Sequence, residues 1–189
     1  MAERPGPPPR FEPVREECLR IAELPFLTRV NLRADPGSRA AGDIGAALGA
    51  SLPTEPGTYV TSGVDVLWLG PDEWLVVGEP GAERDLPARL RAAAGTGHVA
   101  VTDVSAQWTT LVLAGPRARD VLAHGCSLDL HPRLFGPGRC AQTMLARAQV
   151  LLAAHGGEEF RVSVRPSYAG YLADWLLDAA AEHLSGRPG

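Results

Sequence analysis

Lysine is missing. All 18 basic side chains of the 189-residue chain are arginine, so chemistry that needs an ε-amino group is excluded. There is no Schiff-base nucleophile, no pyridoxal-phosphate aldimine and no P-loop or kinase-type phosphate lysine. Arginine-only usage beside so much Ala, Gly and Pro reads as genome composition and carries no functional weight. Cysteine is scarce: Cys18, Cys126 and Cys140 are an odd number with no C-x-x-C spacing. Neither a disulfide framework nor a four-cysteine zinc site is expected, and a reducing cytoplasm is the simplest compartment. No apolar run approaches the roughly 20 residues that cross a bilayer. Arg4 and Arg10 frame no apolar stretch of the signal-peptide type. Positive charge is not in excess either, because 22 acidic residues against 18 basic ones give a net charge of −4. Neither a membrane nor a nucleic acid is an expected partner.

With 45% hydrophobic and 21% charged residues, the composition is that of an ordinary soluble globular protein. Residues 1–13 hold Pro5, Pro7, Pro8, Pro9 and Pro13 and read as a disordered proline-rich arm, with an extended strap on a partner as the alternative. From there to 184 the punctuation and periodicity predict a regular order of elements. Strands are expected at Cys18–Leu24, Leu27–Leu32, Thr58–Thr61, Val64–Leu69, Glu73–Val77, Val99–Val104 and Trp108–Leu113. A later group covers Ala141–Ala146, Gln149–Ala154 and Glu159–Val164. Helices are expected at Ala40–Leu48, at Glu83–Ala94, from Gly115-Pro116 to His124, and from about Ser167 to His183. Strand–helix–strand–strand–strand–helix thus occurs twice, roughly 80 residues apart, with Trp74-Leu-Val-Val matching Phe160-Arg-Val-Ser-Val. The expected fold class is α+β: one pseudo-duplicated domain over 14–184, with antiparallel sheets covered on one face by helices. Its halves are expected at about 18–97 and 98–184, with 185–189 as a flexible tail.

No motif marks a catalytic centre. Gly95-x-Gly97-x-x-Ala100 fits the dinucleotide fingerprint as a string, but it follows a helix and precedes a strand, the reverse of the required order. A helix stop explains both glycines. His124, Cys126 and His131, with Cys140 after the loop, are metal-type donors without the convergent spacing zinc demands. A helix end with a buried thiol is the competing reading. There is no G-x-S-x-G elbow, and Asp72-Glu73 fit a hairpin turn. Asp103, in Val101-Thr-Asp-Val-Ser105, ends a strand and suits either an Asp–Ser turn or a ligand contact. In the last helix, Tyr168, Tyr171, Leu172, Trp175, Leu176 and Ala179 form an apolar stripe expected to be core. Asp174, Asp178 and Glu182 fall at i, i+4 and i+8 on the other face. That column is either solvated or a docking face for a basic partner.

Several segments together resemble the gamma subunit of heterotetrameric sarcosine oxidase. They are Val30-Asn-Leu-Arg-Ala-Asp35, Leu52-Pro-Thr-Glu-Pro-Gly57, Leu67-Trp-Leu-Gly-Pro-Asp-Glu-Trp-Leu-Val-Val77, Val101-Thr-Asp-Val-Ser105, Gly125-Cys-Ser-Leu-Asp-Leu-His-Pro132, Arg139-Cys-Ala-Gln-Thr143 and Arg165-Pro-Ser-Tyr-Ala-Gly-Tyr-Leu-Ala-Asp-Trp175. The resemblance implies the fold of the folate-binding domain of the glycine-cleavage aminomethyltransferase. It also implies a place in a bacterial cytoplasmic complex with alpha, beta and delta subunits. Such a complex oxidises sarcosine to glycine with oxygen, giving peroxide and formaldehyde or, with tetrahydrofolate, methylene-tetrahydrofolate. FAD, FMN and NAD then belong to the larger subunits and zinc to the smallest, and no cofactor, metal or catalytic residue is expected on this chain. Gly138-Arg-Cys-Ala-Gln142 departs from folate-domain relatives with a Lys-Gly-Cys-Tyr-type motif, which sets aside an iron–sulfur-maintenance role. The rival is a stand-alone folate-binding protein or folate-dependent aminomethyltransferase-like enzyme, with Asp103 as the candidate for the pterin amino group.

Overall fold

The computed structural model describes residues 11–184. The expectations for 1–10 of the arm and for the 185–189 tail lie outside them. In chain order the first elements are β1 (Val14–Arg15), β2 (Arg20–Glu23), β3 (Thr28–Ala34), α1 (Arg39–Leu48), β4 (Tyr59–Thr61), β5 (Asp65–Gly70), β6 (Glu73–Gly78), α2 (Asp85–Ala94) and β7 (Val99–Asp103). After a 3-10 turn at Ser105–Gln107 come β8 (Thr109–Ala114), α3 (Ala118–Ala123), β9 (Cys140–Leu145), β10 (Ala148–His155), β11 (Glu159–Val164) and α4 (Pro166–Ala179). A second 3-10 turn, Ala181–His183, follows α4. Every strand pairing among the described residues is antiparallel.

The chain divides into two compact units, Phe26–Ala106 and a second made of residues 11–25 with 107–184. The sheet orders are β4-β5-β6-β3-β7 in the first and β9-β10-β11-β8-β2, with β1 outside β2, in the second. Matched position by position, these are one topology: β3-α1-β4-β5-β6-α2 in one unit and β8-α3-β9-β10-β11-α4 in the other. Register makes the match residue-specific. Leu32 lies opposite Trp74 as Leu113 lies opposite Phe160, so the aligned pair Trp74 and Phe160 occupies one position of a repeated sheet.

The repeats differ in how the sheet closes. β7, which follows α2, pairs with β3, whereas the same place beside β8 is taken by β2 from far upstream. The halves therefore do not part near residue 97, and residues 18–25 do not belong with the first. β7 is held to its sheet by β3, and β2 by β8, so pairing across the sequence overrides proximity along it.

Local chemistry sets the boundaries. Ser38 caps α1, its Oγ accepting the Ala41 N–H at 3.2 Å. Gly49 ends α1 in the left-handed region, φ 80°, which an L side chain adopts only at a cost. In the first unit Val30, Leu32, Val66, Trp74 and Val76 pack under Ile44 and Leu48 of α1 and Leu86 and Leu90 of α2. The Trp74 indole N–H, fully buried, donates to the Pro53 carbonyl at 2.7 Å. That bond satisfies the ring's one polar atom and ties the turn before β4 to the sheet. In the second unit Ile21, Leu111, Leu113, Leu152, Phe160 and Val162 pack under Val121 and Leu122 of α3 and Leu172 and Leu176 of α4.

Candidate functional site

Asp103 closes β7 at an exposed position opposite Val30. Its Oδ1 accepts the Ser105 N–H at 2.9 Å and the Ser105 hydroxyl at 2.6 Å. The same hydroxyl oxygen accepts the Arg29 N–H at 2.8 Å, and the Arg29 carbonyl accepts the Val104 N–H at 2.9 Å. This is an Asx-type turn that carries the chain out of the sheet, with the carboxylate satisfying the turn's own donors. Arg29 itself is 2% exposed, and burial alone pulls its pKa down to about 10, which leaves it charged at neutral pH. The outer edge of β7 is guarded from within the unit, because Arg91 on α2 donates to the Val101 carbonyl at 2.6 Å.

The metal-type donors are dispersed. His124 caps the end of α3, Cys126 is buried where it bridges to Leu145, and Cys140 is buried at the start of β9. His131 is exposed, its Nδ1 accepting the Arg133 N–H at 3.2 Å. Among the described residues no three His, Cys, Asp or Glu side chains are grouped to hold a metal ion. The loop that carries Cys126 and His131 is organised by Arg119. The guanidinium donates to the carbonyls of Leu130 and Phe135, the latter at 3.0 Å, and lies 4.7 Å from the centre of the Phe160 ring. One terminal nitrogen, Nη1, serves both carbonyls while the guanidinium lies over the aromatic ring.

α4 departs most from the sequence expectation. Its buried residues are Ala169, Leu172, Ala173 and Leu176, so the core stripe is rotated from the one expected. Tyr168 and Tyr171 are not core: they are 49% and 40% exposed, on the same outward side as Asp174 and Asp178. Trp175 stays half-buried, its ring against Gly125, where an added Cβ would sit 2.6 Å from the ring. The helix also stops early. Beyond Ala179 the chain turns 3-10, so Glu182 leaves the column begun by Asp174 and Asp178. Its Oε1 lies 3.4 Å from Nε2 of both His124 and His183. Among the described residues neither Asp174 nor Asp178 has an ion pair or hydrogen-bonded side-chain partner. At the other end of α4, Arg165 donates to Gln107 Oε1 at 2.6 Å and stacks 4.9 Å from the centre of the Trp108 ring.

Sequence reasoning misses the exposed tyrosines and the Arg119 clamp. The first is legible: the i, i+3, i+4, i+7 pattern runs through Ala169, Leu172, Ala173 and Leu176, but the larger aromatics outweigh the alanines. The second has no sequence signal, because its carbonyl partners are backbone.

Comparison with known proteins decides what these features belong to. Residues 32–182 match the sarcosine oxidase, gamma subunit family. The sarcosine oxidase subunit gamma of Corynebacterium sp. (strain P-1) is 40% identical over 169 residues, 88% of this chain and 82% of that one. The chain belongs to the sarcosine oxidase gamma subunit family. A solved heterotetrameric sarcosine oxidase from Corynebacterium sp. U-96 superposes with a TM-score of 0.84 at 38% identity, covering 94% of this chain and 91% of that one. The glycine cleavage system aminomethyltransferase T of Bartonella henselae shares the fold at a TM-score of 0.67 and 17% identity, over 83% of this chain and 45% of that one. The α+β, aminomethyltransferase-like fold expected from the sequence is the fold of this family member. Among the described residues, no helix is long and apolar enough to cross a membrane.

Proposed function

We propose that this chain works as a supporting subunit of a heterotetrameric sarcosine oxidase. In that reading its companions are alpha, beta and delta chains that hold FAD, FMN, NAD and zinc. The complex oxidises sarcosine to glycine with oxygen, which is reduced to peroxide, and releases the one-carbon unit as formaldehyde or, with tetrahydrofolate, as methylene-tetrahydrofolate. The observation that carries the reading is end-to-end similarity: the match to a chain of the Corynebacterium enzyme covers nearly the whole of both chains. Thiol cysteines at Cys18, Cys126 and Cys140 suit assembly in a reducing cytoplasm.

Asp103 is the residue on which a folate-binding alternative rests, and its engagement with Ser105 favours a turn. Isothermal calorimetry on the isolated chain tests this, alongside its absorption spectrum and a sarcosine turnover assay. The chain is expected to be colourless, inactive and without heat at micromolar tetrahydrofolate. Stoichiometric flavin or turnover by the chain alone would contradict the supporting role. Tight folate binding abolished by Asp103→Ala would establish the alternative.

A further inference from the structure

We infer that the outward face of α4 is where this chain grips another subunit, and that the occupant is a cationic, arginine- or lysine-bearing segment of a different chain. The inference rests on the subunit reading above and adds the surface and its chemistry. Two observations converge on this face. Tyr168 and Tyr171 are two of five large hydrophobic residues left exposed among the described ones, and they lie one turn apart. Tyrosine is enriched at the centres of protein interfaces, since it buries a large flat surface while its hydroxyl keeps a polar contact. Asp174 and Asp178 continue the same face, also one turn apart, with no cation from the described residues on either.

Their charge fixes the sign of the occupant. α4 ends with no basic residue in its last turn, so Asp178 faces the negative end of the helix dipole as well as Asp174. A cation placed between them relieves both repulsions. Several arginines of this chain are already engaged. Arg165, at the start of the same helix, is engaged with Trp108 and Gln107. Arg20, Arg33, Arg39 and Arg117 are paired with Glu159, Asp72, Asp43 and Asp120. The side chains of Arg15, Arg84, Arg133 and Arg147 are exposed and unpaired among the described residues, so the choice of a different chain over a second copy rests on the subunit reading. A guanidinium suits it best, able to stack on the tyrosines and bond a carboxylate through its planar fork. Glu182 is no part of the surface, being turned toward His124 and His183.

The test is assembly of the complete enzyme from co-expressed chains, with this chain tagged and the co-eluting chains identified by mass. Wild type must recover the flavin-bearing chains; if it does not, the subunit reading falls and this inference with it. Given recovery, association is measured at low and high salt for three variants whose unfolding matches wild type. Asp174→Arg with Asp178→Arg should slow association at least tenfold at low salt and flatten its salt dependence. Tyr168→Ser with Tyr171→Ser should speed dissociation at least tenfold at either salt concentration. Asp43→Arg, on α1, should change neither. If either double variant assembles like wild type, or the chain self-associates through α4 instead, the inference is overturned while the subunit reading stands.

Discussion

Gly125 shows how a single hydrogen atom sets the position of α4. A Cβ there would meet Trp175 Cζ2 at 2.6 Å and Cη2 at 2.7 Å, and the backbone nitrogen of Ala146 at 3.0 Å. The indole cannot retreat without moving α4, and Ala146 is fixed by donating its N–H to the Gly125 carbonyl at 2.9 Å. Gly125→Ala should therefore destabilise the chain by about 1–3 kcal/mol, as overpacking in a tight core does. Denaturant unfolding followed by tryptophan fluorescence checks this, and an unchanged midpoint would show that the contact is not tight. In the sequence Gly125 is simply the residue after the helix expected to end at His124. The approach of Trp175, from far along the chain, is a tertiary fact with no local signature. Asp103 is the opposite case, since its turn with Ser105 is written in two closely spaced residues.

Arg119 acts on the element it belongs to and on the loop after it. Burying the Leu130 and Phe135 side chains obliges their carbonyls to find donors, and α3 supplies one side chain for both. Arg119→Ala should cost roughly 2–3 kcal/mol, the scale of charged hydrogen bonds left without a donor. It should also raise amide exchange across residues 126–139. Arg119→Lys should recover part of the loss, because a single nitrogen, Nη1, serves both carbonyls whereas the guanidinium over Phe160 is lost; full rescue would mean that the ring contact contributes nothing. Helix existence and strand alternation are legible here because they are periodic. The end of α4 is not, because Asp178, Ala179 and Ala180 offer no stop signal. The like-charge pair Asp174 and Asp178, one turn apart, costs about 0.2–0.5 kcal/mol, and under the proposed docking a cationic partner would relieve it.

At the scale of the molecule, duplication organises the chain, and its order is readable because both copies punctuate their elements alike. The closing strand is not readable. β2 and β7 both alternate as strands, and nothing local says that one pairs with β8 and the other with β3. The repeated unit is shared with an aminomethyltransferase, yet family membership rests on relatives that are subunits of a larger enzyme. The most direct test of the central claim is the native mass of the complex recovered through a tag on this chain in its host. The account predicts one copy of the chain bound with larger, flavin-bearing chains and sarcosine oxidase activity in that complex. A chain that emerges alone, or as a homo-oligomer carrying its own activity, would contradict it.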